Sequence, residues 1–140
     1  MNALRKTDRI DSALARLRTH EANCHLCPRD CGINRSAGQK GFCESGNMAT
    51  VSHALLHFGE EPVLSGPEDS AGSRSMTGRK RSGSGTIFFA GCNLKCWFCQ
   101  NYQLSWLGRG RPVADEELAK LMLDLQDKGA LNINLVSPSH

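Results

Sequence analysis

Three cysteines, Cys92, Cys96 and Cys99, fall in one short run, Gly91-Cys-Asn-Leu-Lys-Cys-Trp-Phe-Cys-Gln-Asn101. Their spacing is C-x3-C-x2-C. Three thiolates on one loop leave a four-ligand metal site incomplete. They can hold three irons of a four-iron, four-sulfur (4Fe-4S) cluster, since Fe–S clusters usually take four cysteine ligands. The fourth iron is then open, and an open position separates a reactive metal centre from a structural one. The run also constrains the fold. Thr86, Ile87, Phe88 and Phe89 precede it, a continuous apolar stretch that reads as a buried strand over 85–90. The strand would deliver Cys92 at its C-terminal end.

Downstream, Leu118, Leu121, Met122 and Leu125 recur at helical spacing, predicting a helix over 115–128. Asp115 or a neighbour can cap its start, acidic Glu116 and Glu117 suit its first turn, and Lys128-Gly129 marks its stop. Leu131, Ile133 and Leu135 alternate with Asn132 and Asn134, predicting a strand over 131–136. Strand, helix and strand of these lengths make a parallel crossover unit. Upstream, Ile10, Ala13, Leu14 and Leu17 predict a surface-packed helix over 8–19, and residues 48–56 read as another strand.

Between those upstream elements lie Cys24, Cys27, Cys31 and Cys43, spaced C-x2-C-x3-C-x11-C, the last beyond a Gly-rich turn at Gly38 and Gly41. This pattern suits a tetrahedral thiolate site. Structural zinc and a second Fe–S cluster both fit, and the spacing does not choose between them. The seven cysteines divide as four plus three. No apolar run reaches the ~18 residues of a membrane span, and the N-terminus has no apolar stretch of signal-peptide length. A reducing, cytoplasmic setting is therefore expected, where clustered cysteines bind metal rather than pair as disulfides. A net charge of +3 gives little reason to expect a nucleic-acid partner. Residues 65–84, rich in Ser, Gly and Pro and carrying Arg74, Arg79, Lys80 and Arg81, read as a flexible insertion. His57 and Glu60 could act as ligands or acid–base groups, but a lone His beside a turn is more often structural.

The triplet with Phe98 before its third cysteine, the lead-in 84–91, Gln-Asn-Tyr at 100–102, the run Cys24-His-Leu-Cys27-Pro-Arg-Asp-Cys31-Gly-Ile-Asn-Arg35 and His57-Phe-Gly-Glu-Glu61 together resemble the radical S-adenosylmethionine (SAM) superfamily. The resemblance is to uncharacterised proteins similar to pyruvate formate-lyase activating enzyme. It covers residues 20–66 and 83–140. It implies a 4Fe-4S cluster on Cys92, Cys96 and Cys99, SAM on the open iron, and Phe98 near the adenine. It also implies reductive cleavage to a 5'-deoxyadenosyl radical, an electron donor such as a flavodoxin or ferredoxin, and a protein substrate such as a glycyl radical enzyme. The fold it implies is α/β, the N-terminal part of a radical SAM partial (β/α) barrel preceded by a small Cys-rich metal-binding segment. On that expectation 1–64 holds the N-terminal helix, Cys-rich segment and strand, 65–84 the insertion, and 85–140 an incomplete barrel start. A full barrel takes ~250 residues, so truncation is expected. The Gly-Gly-Glu segment that contacts the SAM amine in many relatives is replaced here by Ser137-Pro-Ser-His140, whose Ser137 and His140 could substitute. The rival reading is a non-catalytic zinc or Fe–S module. A zinc-ribbon nucleic-acid binder is weaker, because the triplet loop has no fourth ligand near it in sequence.

Overall fold

The computed structural model describes residues 6–65 and 83–139. The insertion expected over 65–84 falls almost wholly outside these residues, as does His140. In chain order the elements are α1 (Lys6–Ala22), β1 (Ala49–His57), α2 (Pro62–Ser65), β2 (Gly83–Phe89), α3 (Tyr102–Ser105), β3 (Arg111–Val113), α4 (Asp115–Asp127) and β4 (Ala130–Val136). The described strands form one four-stranded sheet in the order β3-β1-β2-β4.

β2 is the keystone strand. It pairs parallel to β4, with Ile87 opposite Leu135, as a strand–helix–strand unit requires. Its other edge pairs antiparallel to β1, with Ala54 opposite Ile87. β1 in turn pairs antiparallel to the short edge strand β3. This corrects the expected partial barrel. A (β/α) barrel start needs successive parallel strands, but both edges of β2 are occupied and only one neighbour is parallel. The sheet is mixed and open.

One face of the sheet carries the core. Val51, Ile87, Phe89 and Val113 pack with Leu125 of α4, flanked by Leu118, Leu121, Met122 and Ile133. The stripe read from the sequence is thus the buried side of α4. At its start Ala114 is the N-cap, without a side-chain cap hydrogen bond, and Asp115, Glu116 and Glu117 occupy the first turn. Those acids face the positive end of the helix dipole, and Arg111 holds the Glu117 carboxyl below its usual range through a hydrogen bond. Lys128 caps the end and Gly129 turns the chain at φ +98°.

The opposite face of β2 and β4 is polar. Ser84 Oγ lies 2.8 Å from Asn132 Oδ1, Asn134 Nδ2 donates to Ser84 Oγ at 2.7 Å, and Asn132 Nδ2 donates to Leu64 O of the α2 segment. Asn134 thus ties β4 to β2 within the sheet, and Asn132 ties the sheet to the α2 segment. α1 follows its predicted span but not its predicted packing: it has no buried residue, and Ile10, Leu14 and Leu17 are all about half exposed. No helix among the described residues is long and apolar enough to cross a membrane.

Leu125 is 2% exposed and its neighbour Leu123 is 58% exposed on the same helix. Leu125→Ala is expected to cost ~2–5 kcal/mol, and Leu123→Ala within ~0.5 kcal/mol. Urea unfolding of both variants checks this, and equal losses would contradict the placement of α4.

Candidate metal centre

As β2 ends, the chain is gripped from both sides. Ala90 N donates to Thr50 O of β1 at 2.8 Å, and Gly91 N donates to Leu104 O of α3 at 2.9 Å. Gly91 has φ +83°, and a Cβ there would stand 2.3 Å from the carbonyl oxygen of Cys43. Only glycine admits both the left-handed backbone and that approach. Cys92 follows directly, at the C-terminal end of the strand as the sequence predicts. Lys95 at φ +48° turns the loop between Cys92 and Cys96, and Cys99 N donates to Cys96 O at 3.2 Å.

The three thiols are half-buried and free. Two have a hydrogen-bonding group within reach of sulfur. Leu94 N donates to Cys92 Sγ at 3.4 Å, and the Ser105 hydroxyl lies 3.2 Å from Cys99 Sγ and 3.0 Å from Asn101 O. Trp106 Nε1 donates to Cys96 O at 3.1 Å, tying α3 back over the loop. Asn93 N donates to Ser139 Oγ at 3.3 Å, so the segment after β4 reaches the triplet loop. Phe98 is 72% exposed and meets Trp97 edge-on, with ring centroids 5.5 Å apart.

The Cys-rich segment forms a knot around Cys24. Cys24 N donates to Ile33 O and Gly32 N returns to Cys24 O, while Asp30 N closes a turn on Cys27 O. Asp30 and Gly32 are both left-handed. A Cβ on Gly41 would lie 3.1 Å from Cys31 Sγ, so the segment leading to Cys43 runs against Cys31. Cys24 and Cys43 are buried, Cys27 and Cys31 partly so.

The knot and the triplet loop are neighbours, which no sequence spacing announced. Arg29 Nε donates to Asn93 O at 2.9 Å and its Nη2 to Leu94 O at 3.3 Å, while its guanidinium lies 3.8 Å over the Phe42 ring. Lys95 Nζ lies 3.7 Å from Glu44 Oε1, and its side chain is only 12% exposed. Arg29, Ser105 and Ser139 are the functional contacts that sequence reasoning missed. Ser105 lies six residues from Cys99, but Arg29 and Ser139 meet partners 64 and 46 residues away, which no local signal reveals. His57 and Glu60 lie apart from this region, at the far end of β1. Their Nδ1 and Oε1 are 3.3 Å apart, but badly aligned for a hydrogen bond.

Among the described residues no three His, Cys, Asp or Glu side chains converge as ligands of a single ion. A tetrahedral zinc with Zn–S near 2.3 Å needs its sulfurs ~3.8 Å apart. A four-iron cluster spreads its thiolates more widely. The triplet offers three thiols on one loop, with Leu94 N and Ser105 Oγ within reach of two of the sulfurs, a soft donor set of the kind iron–sulfur clusters use.

No protein family model matches the chain, and no solved structure matches it significantly. Two relatives do. The uncharacterised protein MJ0674 of Methanocaldococcus jannaschii is 34% identical over 121 residues, covering 81% of this chain and 30% of that protein. The uncharacterised protein MJ0808 of the same organism is 29% identical over 91 residues, covering 64% of this chain and 26% of that protein. The chain thus spans less than a third of the length of the curated relatives it matches.

Gly91→Ala tests the junction. The left-handed backbone alone costs an L-residue ~1–2 kcal/mol, and the Cys43 carbonyl must also move. We expect a loss above ~2 kcal/mol in urea unfolding, with faster alkylation of both Cys43 and Cys92. Parent-like stability would mean that the two cysteine segments are not pressed together there.

Proposed function

We propose that the chain is the cluster-binding part of a radical SAM protein. Cys92, Cys96 and Cys99 ligate a 4Fe-4S cluster, SAM occupies the open iron, and a protein such as a glycyl radical enzyme is the substrate class. A flavodoxin or ferredoxin would be the electron donor. When bound, the cluster supplies the electron that splits the SAM sulfonium into methionine and a 5'-deoxyadenosyl radical. The observation that carries the reading is the three-thiol loop at the end of β2, with Leu94 N and Ser105 Oγ against its outer two sulfurs.

The protein's own groups have definite tasks on this reading. The Leu94 amide and Ser105 hydroxyl stabilise negative charge on Cys92 and Cys99, which favours the reduced state and raises the potential. Arg29 holds the carbonyls of Asn93 and Leu94, fixing the arc between Cys92 and Cys96. Phe98 offers a ring face on which an adenine can stack, braced by Trp97. The exposure of both rings also favours the rival reading, a metal-binding module without catalysis, because nothing among the described residues encloses a nucleoside there.

Anaerobic reconstitution with iron and sulfide discriminates. The parent is expected to bind about four more irons per chain than the variant with Cys92, Cys96 and Cys99 all changed to Ala, and to release 5'-deoxyadenosine from SAM under reductant. Equal iron in the two proteins would remove the cluster. Cluster without any SAM cleavage or binding would leave the metal module.

A further inference from the structure

Among the described residues β4 has no strand beyond it in the sheet. Its neighbour β2 is buried at six of its seven positions, whereas β4 is buried at none. The outer edge of a strand presents unpaired N–H and C=O groups, ready to take another strand. Among the described residues no backbone hydrogen bond reaches Ala130–Val136 from outside the sheet. Folded proteins usually blunt such an edge with lysine, proline or a bulge. β4 carries no charged residue and no proline over 130–136. Its register against β2 slips once, beside Leu131, and is regular from Asn132 to Val136.

The order of its side chains says what fits there. Ala130-Leu-Asn-Ile-Asn-Leu-Val136 reads nearly the same in both directions about Ile133. That symmetry is without consequence for a parallel neighbour. Beside an antiparallel copy, with a two-fold axis at Ile133, it sets like against like. Ala130 meets Val136, Leu131 meets Leu135, and Asn132 meets Asn134. A closed interface between identical chains requires this kind of self-complementarity. Leu131 and Leu135 are 55% and 43% exposed. Paired across the axis, the leucines of the two copies cover each other around the two Ile133 side chains, and cross-strand apolar pairs stabilise a sheet. On the other face Asn132 Nδ2 donates one hydrogen to Leu64 O and keeps a second. Asn134 binds Ser84 through Nδ2, and its Oδ1 has no partner recorded among the described residues. The second Asn132 hydrogen of one copy and the Asn134 Oδ1 of the other are matched across the axis. No charged residue lies between Gly129 and Ser139, so the pairing opposes no like charges.

We infer that the free edge of β4 binds a second copy of this chain, the two β4 strands running antiparallel and joining two four-stranded sheets into one. The inference rests on the sheet edge and not on the cluster reading of the triplet.

Sedimentation equilibrium of the purified chain over a wide range of concentration tests it. The mass should rise from 15.3 kDa toward twice that value and no further, because a two-fold pairing closes on itself. In the parent, amide exchange over 130–136 should slow as the dimer forms, while that of β3 at the other edge stays constant. Leu131→Lys with Leu135→Lys sets lysine opposite lysine and should hold the chain monomeric at every concentration. Leu131→Lys with Leu135→Glu sets lysine opposite glutamate and should restore the dimer. A parallel pairing in register would oppose like charges in both variants. Both positions are exposed, so circular dichroism of the variants should match the parent. A parent that stays at 15.3 kDa, or grows beyond two copies, would overturn the inference. So would β4 exchange that ignores dimerisation, a folded Lys/Lys variant that still dimerises, or a folded Lys/Glu variant that stays monomeric. Iron content is read separately in the same proteins, so loss of the dimer leaves the triplet's assignment intact, and the reverse holds too.

Discussion

The contact of Gly91 with the Cys43 carbonyl is the constraint on which the rest of the molecule turns. At that point the central strand leaves the sheet, the triplet loop begins, and the Cys-rich knot is pressed against both. A Cβ would be 2.3 Å from that oxygen, so the strand and the knot approach as closely as backbones can. Hydrogen bonds from Ala90 to β1 and from Gly91 to α3 fix the strand end on its other sides. Cys92 therefore leaves a rigid frame, although its loop is partly exposed. Loops placed on a stiff scaffold are where binding and catalytic groups are usually found.

The two cysteine groups form one surface with a shared set of cations. Arg29 reaches from the knot to the carbonyls of Asn93 and Leu94, and Lys95 reaches back from the triplet loop toward Glu44. Both lie against Phe42, which screens them from water on one side. Positive charge in this position suits thiolate-rich centres that carry net negative charge.

Much of the secondary structure could be read along the chain. The Leu118–Leu125 stripe and the Lys128-Gly129 stop predicted α4, and the apolar run before Cys92 predicted β2. These signals are local, repeating over ten or so residues. α2, α3 and β3 span four, four and three residues, too few for a period to show. The barrel expectation failed for a related reason. Alternation along residues 48–56 marks a strand but carries nothing about its direction, and the antiparallel pairing of β1 with β2 rests on partners such as His53 and Phe88, 35 residues apart in the chain and stacked at 4.3 Å. The stripe on α1 was equally legible, yet whether a neighbour covers it depends on tertiary placement. At the site, the cysteines themselves were visible in the spacing. The contacts of Arg29 and Ser139 were not, because they come from distant segments meeting in space.

The central claim is that three thiolates at Cys92, Cys96 and Cys99 leave one iron free to take SAM. Electron–nuclear double resonance on the reduced, iron-loaded chain tests it most directly, using SAM labelled with nitrogen-15 at its amine and oxygen-17 at its carboxylate. The account predicts hyperfine coupling of both labels to the cluster spin, lost when the three cysteines are replaced. A cluster signal with neither label coupled, at SAM concentrations well above those that shift the spectrum of any bound species, would contradict it.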